Sequence, residues 1–174
     1  MQENQKNIAF VDGQNLHLGT TKHPDLPWRI DLARFRVYLT EKYSIDTAYY
    51  YLGYPSAQNN DLYEELQSAG FVIRFRDHVP NSLSAKKGNV DTDIVFDIML
   101  AIYKDELKNV LLVSGDGDYA KMVRFLVKEK KLLKLLFPNQ KRASALYGNI
   151  HSDYKVDLSR PDMRQKIGQK ERAG

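Results

Sequence analysis

Apolar residues in this chain fall into short unbroken runs separated by stretches with a helical period. Asn7-Ile8-Ala9-Phe10-Val11, Asp46 to Tyr54, Phe71 to Arg76, Leu111-Leu112-Val113 and Leu132 to Phe137 read as strands, and the most apolar of them as strands buried on both faces. Between them, Asp31 to Leu39, Asn60 to Ala69, Val90 to Ile102 and Tyr119 to Lys130 carry apolar positions three and four apart, the spacing of amphipathic helices. Asp31 is placed as an N-cap, and Gly70 as the residue that closes its helix. Ala143 to Asn149 predicts a short helix and His151 to Asp157 a last extended piece. Strands alternating with helices, with hardly a hairpin signal, predict right-handed crossovers and a mainly parallel sheet of about five strands with helices on both faces. Arg74 and Arg76 share one face of their run, which marks an edge strand that would permit homodimer pairing. Tyr49, Tyr50 and Tyr51 read as core and sheet-face residues, with Tyr54 beyond the strand end as the exception.

Composition narrows the classes. A chain of 174 residues fits one domain with one core. We place the domain at residues 1–158 and read 159–174, almost without apolar residues, as a disordered basic tail. The absence of cysteine excludes a disulfide scaffold, a thiolate metal site and a cysteine nucleophile, and suits a reducing cytoplasm. The four histidines lack metal-ligand spacing, which argues against zinc. No apolar stretch approaches the roughly 20 residues of a membrane span. The net charge of +4 is unevenly spread: Ala120 to Arg142 carries +7 and Ser159 to Gly174 +3, leaving −6 elsewhere. Basic margins around an acidic centre suit a polyanion held at its edges and a cation in the middle.

The acidic positions are the candidate chemistry. Asp12 ends the first strand, before Gly13, with Asn15 placed one turn on to orient a carboxylate or a water. The buried run Leu111-Leu112-Val113 stops at Ser114-Gly115-Asp116-Gly117-Asp118-Tyr119. That turn taken alone is a glycine turn with an aspartate cap. Asp91, Asp93 and Asp97 lie within seven residues of an otherwise apolar helix, Asp93 and Asp97 on one face. In a parallel sheet, sites form beyond the carboxyl ends of the strands near the switch in strand order, where Asp12 and the Asp116/Asp118 turn both project. A set of oxygen ligands without histidine or cysteine suits Mg²⁺ or Mn²⁺, ions that commonly engage phosphate oxygens. Lys87, before the helix, and the ridge Lys121, Arg124 and Lys128 are placed as contacts to the phosphates of a polyanion. Phe96 and Tyr119 read as packing residues.

Three segments in order, Ile8-Ala9-Phe10-Val11-Asp12-Gly13-Gln14-Asn15-Leu16, Lys87-Gly88-Asn89-Val90-Asp91 with Asp97, and Leu112-Val113-Ser114-Gly115-Asp116-Gly117-Asp118-Tyr119, resemble the motifs of the NYN domain. The likeness is to the LabA-like bacterial branch of the PIN-like nuclease superfamily and spans residues 7–158. It implies a PIN-like three-layer α/β/α sandwich and a metal-dependent ribonuclease. Asp12, Asp97, Asp116 and Asp118 match its acidic positions, Asn15 its polar helper and Asp91 the acid of its second segment; Asp93 rests on spacing alone. Two other readings stand beside it. One is a non-catalytic module that grips RNA or a protein partner on the same fold. The other is a phosphoryl-transfer enzyme, disfavoured because no Asp-x-Asp pair follows the first strand and no phosphate-cradling Gly-rich loop with Lys occurs.

Overall fold

The computed structural model describes residues 5–22, 27–76 and 90–170. Six parallel strands form one sheet: β1 Lys6–Asp12, β2 Ile45–Leu52, β3 Val72–Phe75, β4 Leu107–Val113, β5 Leu132–Phe137 and β6 Lys155–Asp157. Their order is β3-β2-β1-β4-β5-β6, so the chain builds outward from β1 in one direction and then returns to β4 to build in the other. The expected sheet of about five strands gains a sixth, since the three residues of β6 pair with Leu135 to Phe137. The basic strand β3 is an edge, as its alternation requires, and Arg74 lies 4.7 Å from the centre of the Tyr49 ring.

Among the described residues six helices cover the sheet: α1 Gly13–Gly19, α2 Leu32–Tyr43, α3 Asn60–Ala69, α4 Asp91–Tyr103, α5 Ala120–Lys128 and α6 Pro161–Ile167. The layers follow from the strands' alternation. Ile8, Phe10, Val110 and Leu112 turn to one face, where Ile94 and Ile98 of α4 and Val123 and Leu126 of α5 pack on them. Ala9, Val11, Leu111 and Val113 turn to the other, against Leu16, Phe35, Leu39, Leu66, Met163 and Ile167. Strands β1 and β4 are thus apolar on both faces because both are roofed.

The tail corrects the sequence reading. Residues 161–167 form α6 and bury Met163 and Ile167, four residues apart on one helical stripe, against the α2 layer. Pro161 opens the helix at its first turn. Its far end is tied down by three bonds: Asp31 N to the Ile167 carbonyl at 2.9 Å, the Arg34 guanidinium to the Gly168 carbonyl at 2.9 Å, and Gln169 N to the Arg29 carbonyl at 2.8 Å. Among the described residues no helix is long and apolar enough to cross a membrane.

Candidate active site

The site begins where β1 ends. Asp12 caps α1, its Oδ1 accepting from Asn15 N at 3.0 Å. Gly13 follows because nothing larger fits: a Cβ there would lie 2.5 Å from the Tyr50 ring and 2.6 Å from the Tyr51 carbonyl oxygen. On the neighbouring strand β4 the chain leaves the sheet at Ser114, which is fully buried. The Ser114 hydroxyl accepts from Asp116 N at 3.1 Å and donates to Asp12 Oδ2 at 3.4 Å, joining the two strand ends. Asn15 adds a second tie, its Oδ1 accepting from Gly115 N at 2.8 Å. Its side chain therefore fixes the β4 turn, while only its backbone touches Asp12. Both ties cross the switch point between β1 and β4.

Past this turn the 3-10 segment Gly117–Tyr119 leads into α5. Asp116 is the capping residue of this segment, its Oδ1 accepting from Asp118 N at 3.0 Å. Tyr119 is wholly buried, and its hydroxyl is placed between two carboxylates, 2.6 Å from Asp91 Oδ1 and 3.1 Å from Asp12 Oδ2. A hydroxyl has one proton, so it satisfies one of these oxygens fully at a time. Both carboxylates are buried. Burial raises the Asp12 pKa despite the bonds from Asn15, Tyr119 and Ser114 that lower it, and Asp116 raises it further. Burial, then the Asp12 charge and the bond to Asp91, push the Tyr119 hydroxyl far above its ordinary value, so it stays a donor.

Carboxylate oxygens of Asp91, Asp116 and Asp118 lie within 4.8 Å of one another. These run from buried Asp91 through half-buried Asp116 to exposed Asp118, so the group opens to solvent on one side. Tyr147 closes another, its hydroxyl donating to the Asp116 carbonyl. Burial raises the Tyr147 pKa, as do the charges of Asp116, Asp91 and Asp118, while that of Arg124 lowers it. The basic ridge therefore begins within electrostatic reach of the acids. Lys121, Arg124 and Lys128 are all exposed along α5.

Of the expected residues, the structure gathers Asp91, Asp116 and Asp118, with Asp12 joined to them through Tyr119 and Ser114. It does not bring in Asp97, which accepts from the Tyr51 hydroxyl of β2 at 2.6 Å. Six residues beyond Asp91, it is displaced about 9 Å along the helix axis at 1.5 Å per residue. Asp93 is half-buried and outside the three-acid group. Lys87 lies outside the described residues. Two packing assignments also change. Tyr119 is the hydrogen-bond centre of the acids, and Phe96 is 62% exposed. The sequence reading missed Ser114 and Tyr147 as well as a cleft of about 710 Å³ beside α1 and α3, bordered by Gln14, His17, Arg29, Tyr50 and Gln58.

A divalent cation is a chemical fit to three carboxylates with no softer donor among them. Comparisons with known proteins agree with the fold. No curated protein matches the sequence. A crystal structure of a protein of unknown function from Vibrio parahaemolyticus superposes with a TM-score of 0.74 at 19% identity, over 96% of this chain and 98% of that one. The likeness extends the shared architecture to nearly the whole chain. The family description NYN domain matches residues 7–151, a span that includes every acid of the cluster. The chain therefore belongs to the NYN domain family.

Proposed function

We propose that the chain is a Mg²⁺- or Mn²⁺-dependent ribonuclease that hydrolyses RNA phosphodiester bonds at the Asp91, Asp116 and Asp118 group. The observation that carries this reading is the convergence of those three carboxylates, within 4.8 Å, at the switch point of a parallel sheet. Membership of a family related to the PIN-like nucleases supports it, as does the exposed basic ridge that starts beside the acids. Asp91, Asp116 and Asp118 would hold the ion. The ion would supply positive charge against the phosphodiester during an in-line displacement by water. Asp12 and Tyr119 act behind the ligands: the Tyr119 hydroxyl fixes the Asp91 carboxylate, and Asp12 fixes Tyr119. Lys121, Arg124 and Lys128 would take backbone phosphates of the strand on either side of the cut. Asp97, bonded to Tyr51, positions α4 against β2.

Purified protein incubated with mixed RNA and Mn²⁺ tests the reading. Wild type is expected to cleave, EDTA to stop cleavage, and Asp116→Asn to slow it at least about a hundredfold. Equal cleavage by wild type and variant overturns it. Salt-sensitive RNA binding that survives EDTA, without cleavage under any metal, would favour the non-catalytic module instead.

A further inference from the structure

One strand over from the acids, a second and smaller cavity of about 170 Å³ opens at the same edge of the sheet. It lies between the end of α1, the turn after β4 and the exit of β5, and is lined by Asn15, Leu18, Gly19, Gly115, Pro138, Asn139 and Arg142. Among the described residues no acid borders it. Its polar side chains are two asparagines and an arginine. Asn15 commits its Oδ1 to Gly115 N at 2.8 Å, so the end of its amide that remains is the NH₂. Asn139, only 4% exposed, commits its Oδ1 to Lys141 N at 3.0 Å, and its buried Nδ2 has no hydrogen-bond partner among the described residues. A buried donor without a partner costs about 1–3 kcal/mol, and an acceptor that reached it would recover that cost. Arg142 is exposed, spans 3.5 Å to the Leu18 carbonyl and has no carboxylate within ion-pair distance among the described residues. One guanidinium and two amide NH₂ groups, with no carboxylate among the described residues that line the cavity, form a set complementary to a tetrahedral oxyanion. The volume is enough for one phosphate group.

We propose that this cavity is a phosphate subsite, which seats a backbone phosphate of the RNA strand next to the one lying at the acids. The assignment rests on the ribonuclease reading for the identity of the strand; the preference for phosphate rests on the cavity alone. Asn15 and Gly115 line the subsite and also hold Asp12 and Asp116 in place, so a seated phosphate fixes the strand relative to the acidic group. Arg142 supplies the charge and the asparagines the orientation.

The test is run in EDTA, where binding is read without cleavage. Inorganic phosphate is titrated into ¹⁵N-labelled protein, and a single-stranded RNA is titrated at several salt concentrations. Saturable phosphate-induced shifts of the Asn15 and Asn139 side-chain amides are expected. Arg142→Gln, at an exposed position, should weaken phosphate binding at least about tenfold. Asn139→Asp keeps the acceptor for Lys141 N and replaces the donor by an anion, so it should abolish that binding. On RNA, Arg142→Gln should lower the slope of log affinity against log salt by about 0.7, the loss of one phosphate contact on a single strand. Absent shifts, or variants that bind phosphate as wild type does, overturn the proposal. So does phosphate binding with an unchanged RNA slope in Arg142→Gln, which would make the cavity a site for free phosphate. Failure of the ribonuclease reading is read separately, as equal cleavage by wild type and Asp116→Asn in Mn²⁺.

Discussion

Tyr119 is the residue on which the acidic site turns, its hydroxyl 2.6 Å from Asp91 Oδ1 and 3.1 Å from Asp12 Oδ2. A tyrosine at the start of an amphipathic helix reads as core, and its ring is indeed fully buried. What the sequence does not carry is where the hydroxyl ends up, because Asp12 and Asp91 lie 107 and 28 residues away. The acids themselves were legible, since a charge placed directly after a buried strand or at the head of an apolar helix has few structural uses. Tyr119→Phe keeps the ring and removes the shared proton. It is expected to destabilise the metal-free protein by about 1–3 kcal/mol, measured by urea denaturation, and to slow cleavage as well. Asp12 gives a pH signature. Its carboxyl is held above the ordinary value of 3.8 by burial, so the folded protein binds that proton more tightly than the unfolded chain. This group's contribution to stability is therefore fully present below 3.8 and is lost as pH rises through the raised folded value. Asp12→Asn cannot ionise and escapes that loss. In EDTA, the stability of the variant relative to wild type should climb across this window and level off above it; a difference that does not vary with pH would contradict the assignment.

At the scale of elements, the turn between β4 and α5 carries most of the site, and glycines let it pack. A Cβ on Gly117 would lie 2.5 Å from Ser144 Oγ and 3.2 Å from Leu146 Cδ1, both in the segment that brings Tyr147 to Asp116. Gly117→Ala must push that segment away. The expected result is a loss of about 1–3 kcal/mol in stability, with impaired cleavage although no acid has been changed. Unchanged activity and stability would show that the turn tolerates displacement. Helix α4 shows the limit of reading spacing. Asp93 and Asp97 do share a helical direction, but a helix also advances, and by Asp97 it has reached β2 and Tyr51. Periodicity fixes the face of a side chain, and only packing fixes what that face meets. Phe96 makes the same point, since flanking apolar residues suggested burial and the helix turns it outward.

For the whole molecule, the alternation of strands and helices was enough to foresee a parallel sheet covered on both faces. Strand β6 falls within the extended piece expected over His151 to Asp157, but its pairing into the sheet and helix α6 were not foreseen, because three residues of strand and seven of helix carry too few apolar positions to rise above a polar background. Met163 and Ile167 at a spacing of four, after Pro161, were the signal available. Deleting residues 160–174 removes both buried side chains, at about 1.5–3 kcal/mol each, along with the bonds at the end of α6. A truncated chain with wild-type stability in urea would contradict the packing. The claim on which the functional account depends is that a cation sits among Asp91, Asp116 and Asp118. Anomalous diffraction from a crystal soaked in Mn²⁺ measures this directly. A peak within coordination distance of those three carboxylates, lost in Asp116→Asn, is expected; no peak there, or one that survives the substitution, would rule out a cation held by these acids.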